Sequence, residues 1–162
     1  MFKNKKILAG GAVFLVAAFW FYIKPHYMDA KPVVVYTDEQ IAEAARPTIK
    51  LEDRVYNLKA PATGPSYLKA SIALEFADPD LKYIKLKGEA IGVQDLAFTK
   101  EHAAEMPRVW DAVTSVIASR TVQEVSTPEG RDKLKTELMA AVNKELKHDK
   151  VENVYFITFI TQ

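Results

Sequence analysis

Between residues 66 and 76 the chain alternates with period two. Leu68, Ala70, Ile72, Leu74 and Phe76 fall on one side, and Tyr67, Lys69, Ser71, Ala73 and Glu75 on the other. Such alternation predicts a strand with one face on a core. Residues 54–59 predict a shorter strand before it, and Pro61-Ala-Thr-Gly-Pro65 predicts the turn between them. Asp78-Pro-Asp80 ends the long strand, and residues 81–86 are expected as a further short strand, with Gly88 and Gly92 loosening the segment after it. From about Lys100 the period lengthens. Met106, Val109, Trp110, Val113, Val116 and Ile117 recur at three-and-four spacing, the pattern of an amphipathic helix ending by about Arg120. Pro107 fits only the first turn of that helix. Thr127 as cap, Pro128 at the first helical position and Glu129 beside it open a second helix. Its stripe is Leu134, Leu138, Val142 and Leu146, and Lys144, Lys147 and Lys150 gather where the helix dipole favours cations. The order of strands, helices and a final strand predicts an α+β domain, with helices packed on one face of a mostly antiparallel sheet.

The final strand, residues 151–161, is unusual because it is apolar on both sides. Val154, Phe156, Thr158 and Ile160 are expected on one face, and Tyr155, Ile157 and Phe159 on the other. A strand of that pattern is normally central. Two readings stand side by side: a central strand between layers, or a strand whose face or edge meets a neighbouring subunit, since an uncovered apolar strand aggregates.

At the other end, residues 7–23 form an uncharged, mostly apolar run after Lys3, Lys5 and Lys6. As a helix at ~1.5 Å per residue it spans ~26 Å, the short end of a membrane crossing. Trp20 and Tyr22 stand at its far end, where aromatic rings favour the lipid–water interface. The basic flank places residues 1–6 in the cytoplasm and the folded part outside it. A cleaved signal peptide is the rival reading, with Val16-Ala17-Ala18 as the cleavage site. The apolar run continues past that point, which favours a retained anchor. Gly10 and Gly11 lack the small-xxx-small spacing of a helix-dimer motif. Residues 24–50 read as a spacer. Pro25, Pro32 and Pro47 interrupt it, and Thr37-Asp-Glu-Gln40 opens a short helix to about Ala45. The folded domain is expected over residues 51–162.

Charge changes this picture little. The chain has 162 residues and 22 basic against 21 acidic side chains, with no clustered excess suited to nucleic acid. It has no cysteine, which excludes disulfides and cysteine-based sites. His26, His102 and His148 are scattered and read as surface residues; His102 and Glu105 at i, i+3 do not make a metal site by themselves. Asp78, Asp80 and Glu89 fit three positions of a calcium-loop template, but Lys82 and Tyr83 stand where an oxygen ligand and a glycine are needed. No glycine-rich phosphate loop or nucleophile elbow appears. Trp110 is expected as a core anchor. No cofactor and no catalytic set is predicted.

Several phrases together resemble the flagellar basal-body-associated FliL family. They are the N-in anchor with its basic flank, Tyr56-Asn-Leu58, Tyr67-Leu-Lys-Ala-Ser-Ile-Ala-Leu-Glu75, and Pro107-Arg-Val-Trp-Asp-Ala112 running to Ser119-Arg-Thr121. Thr127-Pro-Glu-Gly130, Asn143 and the C-terminal Val154-Tyr-Phe-Ile-Thr-Phe-Ile-Thr-Gln162 complete the pattern. Residues 78–99 depart from it, being longer than the family's usual link into the first helix. The resemblance implies a domain similar to the stomatin/prohibitin (SPFH) fold. It implies a single-pass inner-membrane protein with a periplasmic linker and domain. It implies homo-oligomeric rings around a flagellar stator of MotA–MotB type, supporting torque for swimming and swarming without enzymatic activity. Val154, Tyr155, Phe156, Ile157, Phe159 and Ile160 are the candidate assembly strand. A generic extracytoplasmic, membrane-anchored scaffold of the same fold is the alternative, and an enzyme with an unrecognised site is the third hypothesis.

Overall fold

The computed structural model describes residues 35–60 and 64–162; the expected anchor, with Trp20 and Tyr22, lies outside them. Among the described residues no helix is long and apolar enough to cross a membrane. A short helix α1 (Asp38–Ala42) leads into β1 (Thr48–Asn57), which pairs antiparallel with β2 (Tyr67–Phe76). Helices α2 (Glu89–Glu101), α3 (Met106–Ala118), α4 (Val122–Ser126) and α5 (Pro128–Glu145) follow, and β3 (Val151–Thr161) closes the sheet on the other side of β2. The sheet is antiparallel, in the order β1-β2-β3. An α+β domain with helices on an antiparallel sheet is therefore what the chain forms.

The core lies between one sheet face and helices α3 and α5. Leu68, Ala70, Ile72, Leu74 and Phe76 of β2 are all buried, as the alternation predicts, together with Ile49, Leu51 and Tyr56 of β1. Val109, Val113 and Ile117 of α3 and Leu134, Leu138 and Val142 of α5 meet them, in the i, i+4 stripes read from the sequence. Burial pushes the Tyr56 phenol above its ordinary 10.0, with Arg54 acting weakly the other way. Trp110 is half-buried rather than a deep anchor: its indole carries the Arg54 guanidinium 3.6 Å from the ring centroid. That stack covers apolar surface and gains cation–π attraction.

Four features differ from the sequence expectation, each for a local reason. First, β1 starts at Thr48, earlier than the short strand expected at 54–59. Second, residues 81–86 form turns rather than a strand. The Asp78 carboxylate accepts the backbone N–H groups of Lys82 (3.0 Å) and Tyr83 (2.8 Å), so those amides are captured locally. Leu81 takes positive φ (52°) in this turn. Tyr83 becomes fully buried, and burial, followed by the Asp95 charge, raises its phenol pKa. Third, the long 78–99 link holds a helix, α2. Its inner side, Ile91 and Phe98, and its outer side, Val93 and Leu96, are both apolar, which blurs the helical period. Fourth, His102 is a buried residue, 6% exposed, and not a surface one. It lies against Phe76 and Phe98, with Nδ1 2.9 Å from the Phe98 carbonyl and Nε2 3.1 Å from the Asp149 carboxylate. Both ring nitrogens are thus occupied in joining α2 to the segment before β3.

The corner between α4 and α5 is closely packed at Gly130. Thr121 caps α4 through a reciprocal capping box with Glu124, whose carboxyl is held below its ordinary value chiefly by the Thr121 backbone N–H. Thr127 caps α5 by accepting from the Gly130 amide at 3.0 Å. A Cβ on Gly130 would stand 1.6 Å from the Glu124 carbonyl oxygen, so the Thr-Pro-Glu-Gly phrase ends in a residue with no room for a side chain. Gly92 of α2, by contrast, faces open space. Gly130→Ala is expected to destabilise the domain by at least ~1–3 kcal/mol, whereas Gly92→Ala is expected to be neutral or to stabilise by up to ~1 kcal/mol. Urea denaturation of the two variants checks both signs.

Candidate interaction surface

Among the described residues β3 is an edge strand and not the central one that its apolar pattern suggests. Its register against β2 slips between Ser71 and Ile72: Ser71 faces Thr158, Ile72 faces Phe156, and Ile157 is the extra residue. The bulge reverses the inward–outward phase along the last third of the strand. Val154 is buried and Phe156 half-buried on the core side, as expected. Beyond the bulge, however, Phe159 turns inward opposite Ala70, and Ile160 turns outward at 50% exposure. The predicted faces of Phe159 and Ile160 are therefore exchanged. The exchange lets Phe156 and Phe159 pack edge to face, centroids 4.7 Å apart, on one side of the same strand. Tyr155 (47% exposed) and Ile157 (57%) complete the outward set. Desolvation, then the Glu75 carboxylate beside it, pushes the Tyr155 phenol above its ordinary 10.0.

Two devices place the strand. The Asn143 side-chain amide accepts from the Val151 N–H (2.8 Å) and donates to the Val151 carbonyl (2.9 Å), fixing the start of β3 to α5. At the far end Tyr67 and Gln162 exchange both backbone hydrogen bonds, at 2.8 and 2.9 Å. Since hydrogen-bonded and non-bonded pairs alternate, Thr161 opposite Leu68 and Phe159 opposite Ala70 aim their N–H and C=O groups away from β2. No described strand pairs with them.

The two edges of the sheet are treated differently. β1 is protected: its Thr48 N–H donates to Asp95 at 3.1 Å, and the Lys59 N–H just beyond it donates to the Arg120 carbonyl at 2.8 Å. A register shift between Leu51 and Arg54 brings Glu52, Asp53 and Arg54 together there. Bulges and charges of this kind blunt an edge against pairing. β3 has no charged residue from Val154 to its end. Beside it runs an open groove of about 420 Å³, lined by Pro128, Arg131, Asp132 and Lys135 of α5 and by Tyr155, Phe156 and Phe159. Lys135 lies 3.4 Å from Asp132, but Arg131 has no ion pair, and its buried Nε has no hydrogen-bond partner among the described residues. Its guanidinium stands 5.9 Å from the Phe159 ring centroid.

Among the described residues no group of three or more His, Asp or Glu side chains is placed to hold a metal ion. All six residues of the candidate strand lie on β3, with Tyr155, Ile157 and Ile160 outward and Val154, Phe156 and Phe159 toward the core. The groove is not visible in the sequence, because Arg131 and Lys135 lie outside the apolar stripe of α5. The double-faced apolar pattern of β3 was the available signal, yet it gave no sign of where the bulge falls.

These features define a small α+β domain whose most distinctive surface is a bare strand edge beside a basic groove. The family model for flagellar basal body-associated protein FliL matches residues 48–162, and the chain belongs to that family. It is similar to the flagellar protein FliL of Aquifex aeolicus (strain VF5), with 32% identity over 103 residues. That match spans 63% of this chain and 64% of the Aquifex protein.

Asn143→Ala removes both bonds to Val151 and leaves that backbone pair unsatisfied. The expected cost is about 2 kcal/mol, with amide exchange at the start of β3 accelerated before that of β2. Hydrogen exchange followed by mass spectrometry reads both effects.

Proposed function

We propose that this protein is a non-enzymatic accessory of the flagellar motor that assembles with copies of itself through β3 and supports the stator. Family membership supports the flagellar part of this reading. The observation that carries the assembly part is the uncovered edge of β3, with Tyr155, Ile157 and Ile160 outward and the Phe159 and Thr161 backbone groups unpaired among the described residues. In this reading residues 7–23 anchor the chain in the inner membrane, residues 24–47 link it to the periplasmic domain that begins with β1 at Thr48, and the domain has an SPFH-like fold. A ring of such domains beside a MotA–MotB-type stator acts by binding one state of the stator better than another. A preference of ~1.4 kcal/mol shifts that equilibrium about tenfold. Membrane confinement raises the effective concentration, so weak edge contacts are enough to build the ring.

Deletion in the native host is expected to leave filament number unchanged and to impair swimming, more severely in viscous medium. Unchanged swimming across the load range contradicts the motor role. Mass photometry of the detergent-solubilised full-length protein is expected to show oligomers. Ile157→Lys and Ile160→Lys are expected to shift them toward monomer while costing no more than ~0.5 kcal/mol in stability, since both side chains are at least half exposed. A wild-type monomer at all concentrations overturns the assembly role.

A further inference from the structure

Two cations and one carboxylate line the groove beside β3, so one cation is left over. Lys135 stands 3.4 Å from Asp132, while Arg131 forms no ion pair among the described residues. The Arg131 Nε is buried without a hydrogen-bond partner there, a costly state for a charged group. Its guanidinium is held 5.9 Å from the centroid of the Phe159 ring. Along the same stretch the N–H and C=O groups of Phe159 and Thr161 point away from β2, and no described strand takes them. An open main-chain edge and an unpaired guanidinium therefore lie side by side.

We propose that this edge and groove together take an extended acidic segment of a partner protein, which adds to β3 as a fourth strand and sets a carboxylate on Arg131. Main-chain pairing supplies affinity for any extended sequence, and the groove beside it selects the side chains. In a strand laid along β3, alternate side chains point to the helix side. There an acidic side chain meets the Arg131 guanidinium, whose planar fork matches a carboxylate, and an apolar one meets Phe156 and Phe159. The charge decides the occupant. A second β3 offers main-chain groups but no carboxylate, because no residue from Val154 to Gln162 is charged. Two β3 edges paired along that stretch leave both Arg131 side chains unpaired. The proposal goes beyond the assembly reading: copies meet through the outward side chains of Ile157 and Ile160, and the helix-side groove is left for the acidic segment.

The probes are capped, fluorescein-labelled nine-residue peptides of alternating threonine and valine. One set carries a single glutamate moved through each position, and the other a glutamine. With full-length protein in detergent, fluorescence polarisation is expected to show the best glutamate peptide binding at least about tenfold more tightly than its glutamine counterpart. Arg131→Gln is expected to remove that difference, and Arg131→Glu to turn the preference toward a lysine peptide. Hydrogen exchange is expected to slow at the Phe159 and Thr161 amides when the glutamate peptide binds. Ile157→Lys is expected to leave peptide affinity unchanged while it breaks up oligomers. Equal binding of the glutamate and glutamine sets overturns the proposal, as does protection confined to residues outside β3 or no binding by any peptide. If the two amides are already protected in the wild-type oligomer and exchange freely in the Ile157→Lys monomer, a second copy fills the edge: the proposal falls and assembly stands. A wild-type monomer that prefers the glutamate peptide removes assembly and leaves the proposal standing.

Discussion

The hydrogen-bonded ladder on both sides of β2 is the constraint on which the domain depends. β1 and β3 come from distant parts of the sequence, and neither touches the other as a sheet neighbour. Both take their register from β2, whose buried positions set which side chains of each partner face α3 and α5. The helices add a second restraint at the ends. Asn143 ties α5 to the start of β3. Arg120 joins the helical layer to the end of β1 through its carbonyl, while its guanidinium lies 2.7 Å from Glu137 of α5.

Much of this was legible in the sequence because the decisive positions are simple. The alternation of β2, the three-and-four spacing of Val109, Val113 and Ile117, and the Thr127-Pro128 start of α5 each state one local preference that the fold keeps. The departures occur where side chains redirect the backbone. Asp78 takes two amides and makes a turn of a segment that looks extended. α2 is apolar on two sides, so periodicity does not announce it. Thr121, read only as part of a family phrase, proves to be the cap of a short helix.

The interaction surface was half legible. Composition alone singled out residues 151–161 as a strand with more apolar surface than one core can take. Position in the sheet decides what that excess means, and position is set by long-range pairing that no local pattern encodes. An edge on which nine residues carry no charge contrasts with the opposite edge, where a bulge, an aspartate and a backbone contact all discourage pairing. Among the described residues one edge of the sheet is engaged by its own chain and the other is left open, so the two sides of the sheet are not equivalent.

The bulge at Ile157 also separates two kinds of tolerance. Its side chain points to solvent, so many residue types fit there. Its place in the count is the second freedom, because no residue of β2 stands opposite it. Without it Phe156 and Thr158 would follow each other opposite Ile72 and Ser71, and Phe159 would still face Ala70 from the core side. The strand is thus permissive at this position in spelling and in length: divergence can rewrite the residue or remove it, and the end of the domain keeps its faces.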